Sequence, residues 1–233
     1  MVDKSGIAAR RVANPSSTKM EQKNSAKAAK AKLLAFCDAD DVPEVSWLAA
    51  LVAASGGNAV VGGRLEKERL NSSLGRTFQQ GPQTSSLSSA MGFLPFSSTA
   101  NLLVPACAHH EIGGFDERLL TGQDIEYSWR LQLAGYSLRF CSEAVVHYRL
   151  RENRGAELRK LFRYAMQDPL LYKMYAFRGA RRRSALGVLR SWSMLLLGAP
   201  LCVSPNYRER WLRQVFKNAG WILGSVRHRV VYL

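Results

Sequence analysis

The sequence predicts an α/β domain built on a parallel or mixed sheet and followed by a basic helical extension. Three observations predict it. Short apolar runs of strand length alternate with segments of helical spacing, the surplus of positive charge sits in the C-terminal third, and 233 residues that are 47% apolar suffice for a real core. The composition shifts mark a basic N-terminal arm (1–32), a sheet-bearing core (33–150) and a basic amphipathic helical region (151–233).

Residues 1–32 hold eight Lys or Arg and two acids, and the run Asn14-Pro15-Ser16-Ser17-Thr18 ahead of Lys- and Ala-rich sequence reads as a loose arm leading into a helix. Leu33-Leu34-Ala35-Phe36-Cys37 is an unbroken apolar run closed by acids, the pattern of a strand buried on both faces. Val42-Pro43-Glu44 is expected to open a helix, with Trp47, Leu48, Leu51 and Val52 at helical spacing and Gly56-Gly57 at its end. Ala59-Val60-Val61 reads as the next strand, completing a crossover unit. From Asn71 to Ser98 the chain is rich in Ser, Gln, Gly and Pro, a long loop of the functional or mobile kind. Leu102-Leu103-Val104 is a short strand. A turn-rich connection, Gly113 to Gly122, then leads into a helix from about Asp124 to Ala134 that Gly135 can end. Leu138-Arg139-Phe140 and Ala144-Val145-Val146 are expected as two closing strands, and beyond Tyr148 the chain reads as helical.

Lys and Arg number 33 against 18 Asp and Glu, for a net charge of +15. Residues 149–233 hold 18 basic and 4 acidic side chains, whereas residues 1–148 hold 15 and 14. With the first part near neutral and no recognition motif, a specific nucleic-acid partner is not expected. Four dispersed cysteines without a C-x-x-C pair point to neither a zinc site nor a disulfide framework. No apolar h-region precedes Leu33, so a secretory signal is not read and a cytoplasmic location is expected.

Asp38 and Asp40, one residue apart after a buried strand, lie where open α/β sheets place their ligands, and two anionic oxygens there suit Mn²⁺ or Mg²⁺. Acids in such a turn are as commonly just solvated. Asp41 reads as the start of the following helix. Asp124 at a helix N-terminus fits a plain cap, Glu126 and Arg130 a surface i,i+4 ion pair, and Trp129 the core. His147 at a strand end is, on its own, more often structural than a ligand, and His109-His110 lacks partner spacing.

In order, these elements resemble family-two glycosyltransferases of the GT-A fold, bacterial members in particular, over roughly residues 23–178. Leu34-Ala35-Phe36-Cys37-Asp38-Ala39-Asp40-Asp41 resembles the family's D-x-D element. Ala100-Asn101 resembles the small-residue-plus-Asn step, and Gly113-Gly114-Phe115-Asp116-Glu117 the G-G-F-D-E stretch. Gly122-Gln123-Asp124-Ile125-Glu126-Tyr127-Ser128-Trp129-Arg130-Leu131 resembles the E-D helix, and Val146-His147-Tyr148-Arg149 the His-bearing strand. The resemblance implies that Asp40, assisted by Asp38, holds Mn²⁺ or Mg²⁺ on the donor diphosphate, with His147 approaching the same metal. It implies Asp124 as the general base of a single displacement with inversion, and Asn101, Gly122, Gln123, Trp129 and Arg130 as residues lining the substrates. Gln123 stands where the family usually has an acid, which leaves the proton acceptor intact.

Only 37 residues precede Asp38, whereas the family's nucleotide-binding half takes about two crossover units of roughly 30 residues each. Lys23-Asn24 faintly echoes the Arg-Asn step ahead of the D-x-D strand. The expectation is therefore an N-terminally shortened transferase, its missing half absent or supplied by a partner chain. The alternative is an inactive fragment serving as a binding subunit. Within the C-terminal third, Ser184 to Val203 is about as long as a membrane span, ~20 residues, but is interrupted by Gly187, Arg190, Gly198 and Pro200. A second segment from Trp211 to Leu223 mixes helical apolar spacing with Arg208, Arg210, Arg213 and Lys217. Both suit docking on the anionic inner face of the plasma membrane, which would serve a lipid-linked or other glycan acceptor in the cell envelope. The bland alternative is helices packed on the catalytic domain with solvated basic faces.

Overall fold

The computed structural model describes residues 7–9, 31–71, 83–150 and 153–232. The chain divides into two compact units. The first comprises Met1–Ala90, Leu94–Asp116 and Gln123–Leu150; the second comprises Met91–Phe93, Glu117–Gly122 and Arg151–Leu233.

The first unit is a six-stranded mixed sheet with helices on both faces. Strands β1 (Ile7–Ala9), β2 (Leu33–Cys37), β3 (Val42–Pro43), β4 (Val60–Glu66), β7 (Asn101–Pro105) and β8 (Leu138–His147) lie in the order β1-β2-β7-β4-β8-β3. Two-residue strands β5 (Ser88–Ser89) and β6 (Pro95–Phe96) form a separate hairpin. β2 is the strand expected from its apolar run, and Ile7–Ala9 pairs parallel to it. That pairing replaces part of the expected loose arm; the rest of that arm, with Lys23-Asn24, lies outside the described residues, as do residues 72–82 of the expected long loop. β7 is buried at every position, and its neighbours β2 and β4 both run antiparallel to it.

The alternation along β7 divides the core into two layers. Leu103 joins Trp47, Leu51, Val61, Leu65 and Val146 on the side of helix α1 (Trp47–Ser55). Leu102 and Val104 join Val60, Ala108, Phe115, Tyr127 and Leu131 on the side of α2 (Ala106–Glu111) and α3 (Gln123–Leu133). Two expectations are corrected here. The helix does not open at Val42: Val42 and Pro43 instead pair with His147 and Val146 of β8, and α1 begins at Trp47. The two closing strands are one, β8, whose register against β4 slips between Gly63 and Arg64, a bulge that the polar Ser142-Glu143 step disguises in the sequence. Gly56 ends α1 in the left-handed region, as expected of a C-terminal glycine.

The second unit contains α4 (Arg154–Tyr175), α5 (Ala185–Gly198) and α6 (Pro205–His228), with short 3₁₀ turns at Ala176–Arg178 and Ala199–Val203. α4 and α6 run parallel. Arg154 pairs with Glu209 at 2.6 Å near their starts, and Lys173 Nζ donates to His228 O at 2.9 Å near their ends. Between these, Gly220 and Gly224 let the backbones meet, since a β-carbon at either would fall on the backbone of Phe162 or Met166. α6, read from sequence as a docking helix, is thus chiefly a packing partner of α4. No helix among the described residues is long and apolar enough to cross a membrane.

Candidate active site

β2, β4 and β8 share one direction, so their C-terminal ends emerge at one edge of the sheet, where β7 begins opposite Cys37. α3 finishes just before β8 starts, which puts its N-terminus at this same edge. Asp38 and Asp40 after β2, His147 at the end of β8 and Asp124 in the first turn of α3 are therefore gathered there from three elements.

Asp38 and Asp40 are half-buried. Asp38 O accepts from Asp41 N at 3.3 Å, which folds the acids into a turn. Asp41 does not start a helix: it is buried, its Oδ1 accepts from Arg149 N at 2.7 Å, and Arg149 Nε donates to Asp40 O at 3.1 Å. Burial pushes the Asp41 carboxyl up to about 7 against the Arg149 N–H, and the charges of Asp38 and Asp40 add to the rise. Asp41 thus fastens the turn that carries Asp38 and Asp40 to the strand beyond His147.

His147 is engaged elsewhere. It is 6% exposed, with Nδ1 at 2.5 Å from Glu66 Oε2 and Nε2 at 2.6 Å from Glu44 Oε1. Arg69 closes the cluster through Glu44 Oε1 at 3.1 Å and His147 Nε2 at 2.9 Å. The hydrogen bond from His147 holds the Glu44 carboxyl below its usual range. Burial works against the charge on Glu66, but His147 and the N–H groups of Glu68 and Arg69 outweigh it, and that carboxyl is also held low. Among the described residues no three His, Cys, Asp or Glu side chains are grouped to hold a metal ion. In this structure both ring nitrogens of His147 lie against glutamates, while Asp38 and Asp40 stand in the turn after β2.

Asn101, expected to line the donor, sits inside the sheet. It is fully buried, with Oδ1 accepting from Trp47 Nε1 at 2.8 Å and Nδ2 donating to Arg64 O at 2.9 Å and Ala144 O at 2.8 Å. Those two carbonyls flank the slip between β4 and β8, where regular ladder pairing lapses, and the asparagine amide replaces the lost donors. Gly63 leaves room for it, since a β-carbon there would strike the amide. Asn101 thus joins Trp47, β4 and β8 at the start of β7. Beside it Gln83, buried and with φ of 68°, donates from Nε2 to Gly63 O at 2.6 Å and Ser97 Oγ at 2.9 Å. Its Oε1 accepts from Ser98 N at 2.8 Å.

Helix α3 carries the remaining residues. Gly122 has φ of 71°, a turn conformation open to glycine just before the helix. Gln123 Nε2 donates to Asp116 O at 2.9 Å, tying the helix start to the G-G-F-D-E stretch. Asp124 is half-buried in the first turn, where Ile125 N donates to its Oδ1 at 3.1 Å and the helix dipole favours its negative charge. Trp129 is fully buried and donates from Nε1 to Leu94 O at 2.7 Å, so it belongs to the core and not to a substrate surface. Arg130 forks onto Glu126, with Nε to Oε1 at 2.5 Å and Nη2 to Oε2 at 2.9 Å, and also donates to Ile112 O and Gly114 O. Glu126 is 1% exposed, so the expected i,i+4 pair exists but is buried, and Arg130 also secures the Gly113-Gly114 turn. Sequence reading missed Glu44, Glu66, Arg69 and Gln83; it had no signal for them, because each is placed by pairing between distant strands and loops. It also left His109 unassigned. Its Nδ1 lies 2.6 Å from Tyr127 Oη, and burial pushes its imidazole down to about 4, with the nearby charges of His110 and Arg130 adding to the fall.

The profile described as Glycosyl transferase family group 2 matches residues 70–224, and the chain belongs to that family. The pre-mycofactocin glycosyltransferase of Mycobacterium tuberculosis is 28% identical over 182 residues, covering 72% of this chain and 37% of that protein. Glycosyltransferase AglE of Haloferax volcanii is 29% identical over 133 residues, 56% of this chain and 43% of that one. The chain thus spans less than half the length of these curated relatives. Mannosyltransferase PcManGT from Pyrobaculum calidifontis, solved in complex with GDP-Man and Mn2+, has a TM-score of 0.53 at 13% identity, covering 91% of this chain and 67% of that one. The likeness identifies the fold as GT-A.

Proposed function

We propose that the edge bearing Asp38, Asp40 and Asp124 transfers a sugar from a nucleotide-diphospho-sugar to an acceptor hydroxyl, with inversion at the sugar carbon. The observation that carries this reading is the convergence, at one sheet edge, of two aspartates after β2 with a third at the start of α3, in a chain of a glycosyltransferase family. Asp38 and Asp40 would hold Mn²⁺ or Mg²⁺. When bound, that cation supplies positive charge opposite the diphosphate. Asp124 accepts the proton of the acceptor hydroxyl, its oxygen bonds to the anomeric carbon from the opposite face, and the bond from that carbon to the diphosphate oxygen breaks. One catalytic carboxylate suffices, in contrast to the two that flank the bond in a glycoside hydrolase. Gln123 and Arg130 position this carboxylate indirectly, by fixing the turn that feeds α3. The acceptor is a glycan or lipid-linked hydroxyl at the cytoplasmic face of the plasma membrane, in envelope synthesis.

The test is a thermal-shift titration with UDP-, GDP- and dTDP-sugars, with and without Mn²⁺, on the chain and on Asp40→Ala. A donor at about a hundred times its Kd adds ~2.7 kcal/mol of stability. A metal-dependent shift abolished in the variant supports the reading and names the nucleotide. No shift with any donor in a cooperatively folded chain refutes donor binding by this chain alone and favours a fragment that acts with a partner.

A further inference from the structure

Helix α5 is built inside out. Its inward positions include Ser191 and Gly198, both buried, and the Ser191 hydroxyl donates to Val188 O at 2.8 Å while accepting from Arg183 Nη2 at 3.1 Å. Asn218 Nδ2 of α6 lies 3.5 Å from the same oxygen. Gly198 lets Tyr207 close against the helix end, and Trp211 Nε1 donates to Leu195 O at 3.0 Å. Small and polar groups thus share the seat of α5 on α6 with Leu195 and Trp211. Four of its five leucines point the other way: Leu186, Leu189, Leu196 and Leu197 are 75%, 64%, 73% and 78% exposed, and Val203 just beyond is 89% exposed, whereas Leu195 is half-buried. At 100° per residue the four exposed leucines fall within one outward stripe. A water-soluble helix places such residues inward, where burial removes their apolar surface from water.

The charge around the stripe selects its occupant. Arg181 and Arg182 immediately precede the helix and Arg190 lies at the edge of the stripe, all three exposed. The stretch 149–233 carries 18 basic residues against 4 acidic ones. A second copy of this chain would bring a like-charged collar against the same collar, whereas anionic headgroups meet the arginines as acyl chains receive the leucines.

We propose that α5 is an interfacial helix that lies in the plane of an anionic lipid bilayer, its leucine stripe in the acyl boundary and its arginine collar at the headgroups. Of the two segments whose sequence suits docking, α5 is the one chosen, because its four leucines are 64–78% exposed, whereas within Trp211 to Leu223 of α6 only Ile222 and Leu223, 37% and 48% exposed, are comparable. This surface is independent of the sugar-transfer reading and is tested without any donor.

Flotation of the full chain with vesicles of phosphatidylcholine alone, and of phosphatidylcholine mixed with phosphatidylglycerol, tests it. The chain is expected to float with the mixed vesicles and far less with the neutral ones, and to be released by salt. Leu189→Glu with Leu197→Glu should weaken partition by at least roughly tenfold, given the burial energy forfeited per leucine. Neutralising Arg181, Arg182 and Arg190 to Gln should cost on the order of fivefold per residue. Circular dichroism and the urea midpoint should match the parent in these variants, because the altered side chains are exposed; Leu189→Ser with Leu197→Ser serves if the glutamates disturb folding. Failure to float, or flotation unchanged by the leucine variants, overturns the proposal. Self-association in sedimentation that the leucine variants abolish, without vesicle binding, assigns the stripe to a second copy and also overturns it.

Discussion

Trp47 donates its indole N–H to Asn101 Oδ1 at 2.8 Å, joining the first turn of α1 to the first residue of β7. The same asparagine satisfies the carbonyls of Arg64 and Ala144, so one side chain holds three elements at the edge where the acids emerge. Replacing it with Ala leaves one donor and two acceptors without these partners in a fully buried site. The loss expected is ~3–5 kcal/mol, at 1–3 kcal/mol per group left unmade with partial relief by water. Urea unfolding followed by tryptophan fluorescence measures it. An effect under ~1 kcal/mol would contradict the bracket role.

Asp124 and Asp40 should fail in different ways. Asp124→Asn should lower kcat by 10²–10⁴, on the usual scale of a lost general base, and leave donor affinity intact. Asp40→Ala should instead weaken donor binding and its response to Mn²⁺. Parallel loss of both properties in Asp124→Asn would remove it from the role of base.

Arg130 spans Glu126, Ile112 O and Gly114 O, and Lys cannot reproduce that fork. Arg130→Lys should destabilise the first unit by ~2–3 kcal/mol, because a buried carboxylate is left with a poorer partner. A double-mutant cycle with Glu126→Gln checks the assignment, and additive effects would argue against it.

In the second unit Asp168 accepts from Trp221 Nε1 at 2.8 Å, and desolvation pushes its carboxyl up to about 6 despite that bond and the nearby Lys217 and Arg183. A folded value above the unfolded 3.8 means that the folded state holds the proton more tightly. Stability from this group is therefore fully present below about pH 4, is lost as pH rises to about 6, and is level beyond. The change should be on the order of 2 kcal/mol, less than the ~3 kcal/mol of two full units because the side chain retains some contact with water. Urea midpoints at pH 4.5 and 7 (about the ends of that window) measure it. Asp168→Asn should flatten the difference, and an unchanged slope in that variant would assign it to other groups.

The legible parts of the molecule were those written in neighbouring residues. Leu33 to Cys37 is a strand because five apolar residues in a row closed by acids have few alternatives, and α1 ends where Gly56 allows a left-handed turn. Asp38, Asp40 and Asp124 could be picked out because strand ends and helix starts advertise themselves locally. What stayed hidden depends on partners far apart in the chain. His147 meets Glu44 across 103 residues and Glu66 across 81, so nothing near it tells a glutamate partner from a metal. Asn101 resembles a binding residue in sequence and is a structural one because a strand slip elsewhere left two carbonyls for it. The direction of α5's leucines was equally hidden, since its apolar spacing serves an inward or an outward stripe.

The order β1-β2-β7-β4-β8-β3 also governs how the molecule must fold. β2 leaves synthesis more than sixty residues before its antiparallel partner, with Leu33 paired to Pro105 and Cys37 to Asn101, and β4 waits for both β7 and β8. Within the six-stranded sheet the pairings of β7, β4, β8 and β3 are therefore long loop closures, whose entropy must be met before those ladders form. One side of apolar β2 and both sides of β4 wait for strands made later. Folding of the first unit should be slow, in the millisecond-to-second range of sheets dominated by distant contacts.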